Sequence, residues 1–385
     1  MSATNGSTRS VRSSGRMIGL AVAMVFALSA LFSSVASAST PIKSTQLSLG
    51  DSLAFGYSAK LFNENIPFGA PATAFENGYA DDYLKLEKGK FMGQQLVNLG
   101  CPGETTDSMF GNGPLGAATD PTGESPCGYH KLGLPLHHEY GGTKSQLESA
   151  LEVLAVEAGS GTPVTKITLN IGANDQLKAI GKCEAEAKAA VTAKIKALIE
   201  KEIGEKLGKG EITPEEIPAF VAKRTAEEAA NPANKAEGEK LAKKCIEASV
   251  PALFAHILTN VGTALFVLRE GAKFGGVNYG GAIVVQGGYD PYGNVFGTGE
   301  LLEGSNPLAG LLNANEAPTV AKFGACYANP QPTFNPQNAK EPAKLQAWTN
   351  MANTSESNGK KNGPDIHPTP LGYHKLASIM KHICG

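Results

Sequence analysis

The sequence predicts an α/β fold in which helices cover both faces of a parallel sheet. Four short apolar segments with the composition of buried strands alternate with helical patterns. A basic and apolar leader precedes them, and a charged helical segment interrupts the alternation. Strands that alternate with helices, instead of forming runs of their own, are typical of a parallel sheet with helices on its faces.

The first 38 residues have the features of a secretory signal peptide. Three arginines precede the apolar run 17–32, and Ala36-Ser37-Ala38 supplies the small-x-small pattern at which such leaders are cleaved. The run is short for a bilayer span, which needs about 20 residues. We therefore expect residues 39–385 to be secreted as one domain, with no membrane anchor left after cleavage.

The predicted strands and helices follow in order along this domain. The strand segments are 45–52, 94–100, 164–175 and 280–290. Residues 145–158 begin with Ser145 and carry Glu148 three residues later, which is a capping box, and their apolar residues repeat at helical spacing. A second, mostly apolar helical stretch over 246–272 leads into the fourth strand.

Residues 183–245 depart from this alternation and predict a helical insertion. They hold twelve basic and twelve acidic residues, and Thr213-Pro214-Glu215-Glu216 has the pattern of a helix start. A charged helical segment is commonly a solvated surface hairpin, which we favour here, while a cap over a binding cleft is the alternative. Residues 303–364 are rich in Asn, Pro and Gly, and we expect them to be mostly irregular, with one helix over 344–352.

An even number of cysteines in an exported chain predicts disulfides. No C-x-x-C pair occurs, so nothing indicates a zinc ribbon or a thioredoxin-type site. Six cysteines allow 15 pairings, and we predict that neighbours pair because each bond then closes one long loop. The predicted pairs are Cys101 with Cys127, Cys183 with Cys245, and Cys326 with Cys384.

Several classes of function lack their sequence features. Removal of the leader changes the formal charge from −2 to −5, because three arginines and no acids are lost, and a mildly acidic chain gives no reason to expect nucleic-acid binding. The sequence has no phosphate-binding G-x-x-x-x-G-K-[ST] and no G-x-S-x-G nucleophile elbow. His137-His138-Glu139 lacks the H-E-x-x-H spacing of a zinc site. We expect no metal and no cofactor.

Candidate catalytic residues follow the predicted strands. An acyl-transfer serine needs a base, a group that orients the base, and donors for the developing oxyanion, and such groups collect where parallel strands end. The candidates are Ser52 after the first strand, Gly103 in the loop after the second, Asn174 after the third, and His367 in a proline-rich loop before the last helix. Taken singly, Ser52 is also compatible with a turn residue, Gly103 with an ordinary loop glycine, and Asn174 with a helix cap. We expect the other histidines, His130, His137, His138, His256, His374 and His382, to be non-catalytic.

Four short motifs around these residues resemble a known family. Gly-Asp-Ser-Leu at 50–53, the loop of Gly103, Gly-Ala-Asn-Asp at 172–175 and Asp-Ile-His-Pro at 365–368 stand in the order of the four sequence blocks of the SGNH, or GDSL, hydrolases. The resemblance runs from about residue 45 to the C-terminus, interrupted by the insertion. It implies a flavodoxin-like three-layer α/β/α sandwich.

The resemblance also assigns roles to individual residues. It implies that Ser52 is the nucleophile and that His367 is the general base. The oxyanion would be bound by the backbone N–H groups of Ser52 and Gly103 and by the side chain of Asn174. The family's acid usually lies three residues before the histidine, but position 364 is proline here and Asp365 lies only two residues before His367. Either Asp365 or a backbone carbonyl orients His367.

These observations predict a secreted, monomeric serine hydrolase that cleaves carboxylic esters through an acyl-Ser52 intermediate. We expect an esterase or lipase acting on a small-molecule or lipid ester. Two alternatives stay open: a carbohydrate O-acetylesterase with the same machinery, and an inactive secreted binding protein on the same scaffold.

Overall fold

A computed structural model gives the structure of residues 42–87, 93–111, 132–140, 144–293, 305–336 and 342–385. The predicted signal peptide, residues 1–38, lies outside these ranges. The described residues belong to one unit that spans 42–385.

A five-stranded sheet forms the centre of this unit. Its strands are β1 (Ser44–Gly50), β2 (Gln94–Asn98), β3 (Val164–Asn170), β4 (Ala282–Gln286) and β5 (Cys326–Ala328). All neighbours are parallel, and the order β2-β1-β3-β4-β5 is that of flavodoxin-like sheets. The predicted parallel α/β fold is therefore confirmed. Near the C-terminus, four short strands form two antiparallel pairs: β6 (Thr349–Asn350) with β9 (Asp365–Pro368), and β7 (Glu356–Ser357) with β8 (Lys360–Lys361).

Eleven α-helices are assigned within the described ranges. They are α1 (Ser52–Phe55), α2 (Ala59–Asn65), α3 (Tyr79–Glu87), α4 (Gln146–Ser160), α5 (Ala173–Gly208), α6 (Ile217–Ala230), α7 (Pro232–Arg269), α8 (Ser305–Ala321), α9 (Gln331–Phe334), α10 (Pro342–Trp348) and α11 (Pro370–Cys384). Helix α4 has the predicted capping box, with Ser145 and Glu148 each bonded to the other's backbone N–H.

The helices cover the sheet on both faces because successive strand residues point to opposite sides. On β4, Ile283 and Val285 belong to the core under α4, α7 and α8, whereas Val284 belongs to the core under α3 and α11. Helix α7 is long and apolar enough to cross a membrane by length and composition. In this structure its apolar half packs on the sheet, and Ile257 and Leu265 are fully buried there.

The segment 183–245, which we call the helical arm, consists of the far part of α5, helix α6 and the first part of α7. Helices α5 and α7 run continuously from the body of the domain into the arm. Cys183 and Cys245 form a disulfide with a Cα–Cα distance of 5.5 Å. The disulfide between Cys326 and Cys384 is also present, so two predicted pairs are confirmed. Cys101 is disulfide-bonded, while its predicted partner Cys127 lies outside the described residues.

The expectation that 303–364 is mostly irregular is wrong. This region contains the 17-residue helix α8 and the edge strand β5, and the predicted helix over 344–352 ends at Trp348. The asparagine-rich composition is typical of irregular chain, but the Asn313 side chain bonds to the loop residue Gly288 and not to the backbone of its own helix. Its amide accepts from the N–H of Gly288 at 3.0 Å and donates to the carbonyl of Gly288 at 2.9 Å.

Candidate active site

Ser52 lies directly after β1, as the first residue of α1. The turn needs glycine at position 50, where φ is +134° and a Cβ atom would lie 2.0 Å from the carbonyl oxygen of Asn170. Asp51 caps α1 by accepting a 2.8 Å hydrogen bond from the N–H of Leu53. The motif Gly-Asp-Ser therefore places the serine hydroxyl at the carboxyl edge of the sheet.

Ser52, His367 and Asp365 form a continuous hydrogen-bonded series. The Nε2 atom of His367 is 2.9 Å from the Ser52 hydroxyl oxygen, and its Nδ1 atom is 2.5 Å from Oδ1 of Asp365. Asp365 and His367 both belong to the extended strand β9, where residues two apart face the same side. The shortened spacing of this motif therefore still lets the carboxylate reach the imidazole.

The Asp365 carboxylate is fixed from several directions. Its Oδ2 atom accepts from the N–H of Ala59 at 2.8 Å, and its Oδ1 atom also accepts from the N–H of His367 at 3.1 Å. Burial raises the pKa of Asp365, but the bonds from His367 and Ala59 outweigh it, so the net pKa lies below the ordinary value. The ring of Tyr57 packs edge-on against His367, with 4.7 Å between centroids. The imidazole is therefore held in one orientation.

The three predicted oxyanion donors line the same cavity as Ser52 and His367. Gly103 has φ of +89°, a conformation that favours glycine. Among the described residues, the backbone N–H groups of Ser52 and Gly103 have no protein acceptor. The Asn174 side-chain amide donates one N–H to the carbonyl of Glu104 at 2.8 Å, and an amide carries a second N–H.

This cavity has a volume of about 300 Å³. It extends from Ser52 between α5 and α8, and no residue of the helical arm is among those that line it within the described ranges. Its apolar lining residues are Leu53, Pro102, Leu132, Ile171, Ala173, Leu177, Pro291, Ala309, Leu312 and Ile366. Such a volume is at the lower end of the range for small-molecule sites, which indicates a small ligand.

Two buried acids also line the cavity. Burial raises the pKa of Asp51 to about 7 and that of Glu316 to about 7. Glu316 Oε2 is 3.0 Å from the Tyr327 hydroxyl. Both carboxyl groups therefore titrate near neutral pH and not near pH 4.

Two residues that were not predicted from the sequence hold the histidine strand. The Tyr289 hydroxyl donates to the carbonyl of Ile366 at 2.8 Å, and the Asn350 side chain donates to the carbonyls of His367 at 3.1 Å and Pro368 at 2.9 Å. Tyr289 follows β4 at the same carboxyl edge of the sheet, so the strand-end rule that selected Ser52 would have found it. Asn350 has no comparable sequence pattern.

The remaining histidines in the described ranges lie outside the Ser52–His367–Asp365 series. His137 bonds the carbonyl of Phe55 at 2.9 Å, and His256 pairs with Asp107 at 2.8 Å, while His130 lies outside the described residues. Asp107, Asp175 and His256 bring their ligand atoms within 4.8 Å of one another. Hydrogen bonds within the protein already engage these atoms: Asp175 accepts from Thr106, and Asp107 from His256. The group therefore gives no positive indication of a metal.

No protein-family model matches the chain, and no curated protein matches it in sequence. Solved structures with a similar arrangement include an extracellular lipase from Streptomyces rimosus, at 13% identity and a TM-score of 0.40 over 88% of this chain and 99% of that one. A carbohydrate acetylesterase family member from Sinorhizobium meliloti is 10% identical, with a TM-score of 0.38 over 88% and 96% of the two chains. An acetylxylan esterase from Geobacillus stearothermophilus is 12% identical, with a TM-score of 0.38 over 90% and 96%.

Proposed function

We propose that this protein is an SGNH-type serine hydrolase that cleaves carboxylic esters through an acyl-Ser52 intermediate. The observation that carries the proposal is the series from Ser52 through His367 to Asp365, at 2.9 Å and 2.5 Å. A nucleophile, a base and an orienting carboxylate within hydrogen-bond reach form the arrangement that activates a serine.

In the first half of the reaction, the Ser52 oxygen attacks the ester carbonyl while His367 Nε2 takes the hydroxyl proton. Asp365 holds the other ring nitrogen, so that Nε2 is free to accept, and stabilises the imidazolium that forms. The imidazolium then protonates the leaving alcohol, and the acyl group stays on Ser52. In the second half, His367 takes a proton from water, the hydroxide attacks the acyl group, and Ser52 is regenerated with its proton.

The oxyanion that forms in both halves would be bound by the N–H groups of Ser52 and Gly103 and by the second N–H of Asn174. Three donors from three strand ends converge on one cavity, and their positions are set before substrate arrives. Loss of a single donor of this kind typically raises the activation free energy by about 3 kcal/mol.

The cavity favours esters with small acyl groups. Its volume of about 300 Å³ suits a short chain better than a long one, and its walls are mostly apolar. The primary candidate is therefore a carboxylesterase. Because an acetyl group is the smallest common acyl group, deacetylation of a carbohydrate is the second candidate.

Turnover of p-nitrophenyl acetate, butyrate and palmitate by wild type and Ser52→Ala tests the proposal. We expect Ser52→Ala to lose at least about a thousandfold in kcat, because the residual catalysis without a nucleophile is small. Ser378→Ala on α11 is the matched control, since its hydroxyl donates to the carbonyl of His374. Absence of turnover by both proteins would support the inactive scaffold instead, and equal turnover by both would mean that Ser52 is not the nucleophile. A preference for acetate would favour the deacetylase.

We also propose that the protein is secreted. The two disulfides of the described residues are compatible with an oxidising compartment. Expression of the full chain in a bacterial host and mass spectrometry of the culture medium test this. We expect a mature protein that begins at Ser39, and retention of an uncleaved chain in the cells would contradict the proposal.

A further inference from the structure

A buried polar network lies behind the proposed oxyanion site and is centred on Gln146, the first residue of α4. Its side-chain oxygen accepts from the N–H of Gly50 at 2.7 Å, and its nitrogen donates to the carbonyls of Gly50 at 2.9 Å and Leu99 at 2.8 Å. Gln146 has no exposed surface. One amide thus joins the ends of β1 and β2, immediately before Ser52 and the loop of Gly103.

The same amide reaches Glu104, whose carboxyl group lies inside this network. Glu104 Oε2 is 3.1 Å from the nitrogen of Gln146 and 3.5 Å from the Tyr140 hydroxyl, while Oε1 is 2.5 Å from the Ser108 hydroxyl. The residue is only 1% exposed. Glu104 is therefore bonded at both carboxyl oxygens and shielded from water.

Glu104 also touches two of the three proposed oxyanion donors through its backbone. It directly follows Gly103, and its carbonyl accepts the 2.8 Å bond from the Asn174 side chain. A displacement of Glu104 would therefore move Gly103 and release Asn174 together. Its side chain is fixed by Gln146 and Tyr140, which are distant in the sequence, and by Ser108, four residues further along the same loop.

The electrostatic surroundings keep this carboxyl group uncharged at neutral pH. Burial raises the pKa of Glu104 to about 8, and the charge of Asp51 adds to the effect. The bonds from Ser108 and Tyr140 and the charge of Lys178 on α5 oppose it. The negative charge of Asp175, also on α5, contributes to the raised pKa of Asp51. Above pH 8 the site would gain a buried negative charge.

We propose that Glu104 is a positioning residue of the oxyanion site that acts as a neutral acid, and that its ionisation switches the site off. The neutral acid holds Gly103 and Asn174 in place. The carboxylate would repel the developing oxyanion in a water-poor environment, where charges interact strongly. This inference rests on the proposed esterase function.

The test is the pH dependence of kcat and KM with p-nitrophenyl acetate, corrected for spontaneous hydrolysis, from pH 6 to pH 10. Wild type is expected to lose about tenfold in kcat as Glu104 ionises around pH 8, with KM little changed. Glu104→Gln cannot ionise at this position, so from pH 8 to pH 10, above the pKa of Asp51, its kcat should stay constant while that of wild type falls. A purely structural role of Glu104 would lower kcat equally at all pH values.

A second variant tests the same idea without altering Glu104. Ser108→Ala removes a bond that lowers the pKa of Glu104, so the alkaline decline should move to higher pH. Ser149→Ala is the matched control: it removes another buried hydroxyl, one that donates to the carbonyl of Ser145, and should leave the decline where wild type has it. This variant decides the question even if Glu104→Gln does not fold.

The outcomes separate this inference from the proposed function. A wild type without Ser52-dependent esterase activity at any pH would contradict both. An active wild type without an alkaline decline, or the same decline in Glu104→Gln and Ser108→Ala as in wild type, would overturn the inference alone.

Discussion

At the scale of single residues, Asp365 decides how His367 is held. The carboxylate lies 2.5 Å from Nδ1 of His367 and accepts N–H groups from Ala59 and from His367 itself. The sequence also allows a backbone carbonyl in this place, and the observed contact at Nδ1 is the carboxylate. This geometry supports a triad and not a dyad.

We predict that Asp365→Asn lowers kcat by about a hundredfold to ten-thousandfold, because an amide favours the wrong tautomer of the imidazole. Parallel kinetics of Asp365→Asn and Asp365→Ala, with circular dichroism as a check of folding, measure the effect. The control is Asp82→Asn, which alters another acid near a histidine, His374, at 3.6 Å. Full activity of Asp365→Asn would show that the carboxylate does not orient the base.

The sequence predicts individual residues well where the fold itself constrains them. Ser52, Gly103 and Asn174 were found because parallel strands end at one edge, and the structure places them around one cavity with His367. Gln146 was missed because it lies at the start of a helix whose amphipathic pattern explains it without a second role. Its contacts to Gly50 and Leu99 depend on how α4 docks, which local patterns do not contain.

At the scale of elements, the helical arm consists of exposed, charged helices and forms no wall of the cavity within the described ranges. Its helices carry exposed charge pairs such as Lys196 with Glu200 and Lys201 with Glu205. Exposed pairs of this kind add little to stability. These features favour the solvated hairpin over the cap for 183–245.

We predict that Cys183→Ser with Cys245→Ser destabilises the arm but leaves kcat/KM for p-nitrophenyl acetate within about threefold. Loss of a disulfide that closes a loop of 62 residues typically costs about 2–5 kcal/mol. Amide hydrogen exchange and proteolytic cleavage should both become faster within residues 183–245. A large loss of activity together with an intact sheet would mean that the arm acts on the site after all.

Element boundaries were harder to predict than element types. The strand predicted over 164–175 ends at Asn170, because helix α5 begins at Ala173 with Asn174 in its first turn. Helix α8 was missed because its asparagines and prolines are typical of irregular chain, and strand β5 was missed because it is only three residues long. In the structure the Asn313 side chain bonds to Gly288 and Asn329 outside the helix, so tertiary contacts outweigh local propensity.

At the scale of the whole molecule, the buried acids make stability depend on pH. Burial raises the pKa of Asp81 to about 6, of Asp51 and Glu316 to about 7, and of Glu104 to about 8. In the unfolded chain these groups ionise near pH 4. Between about pH 4 and pH 8 the folded state therefore binds more protons than the unfolded state, and stability falls as pH rises.

We predict that the melting temperature is higher at pH 5.5 than at pH 8.5 by roughly 5 °C or more. Calorimetry at constant ionic strength measures the difference. Combining Glu104→Gln with Glu316→Gln should reduce it, since two of the four groups then no longer titrate. A melting temperature that rises with pH over this interval would contradict the burial of these acids as neutral groups.

Covalent labelling distinguishes Ser52 from any other nucleophile of the proposed ester hydrolase. The mature protein is incubated with a fluorophosphonate, and peptide mass spectrometry locates the adduct, with His367→Ala as the comparison. We predict one phosphonyl group on Ser52, formed in parallel with loss of esterase activity, and labelling slowed at least a hundredfold in His367→Ala. A protein that hydrolyses esters while Ser52 stays unlabelled, or that is labelled and inactivated at another residue, would contradict it.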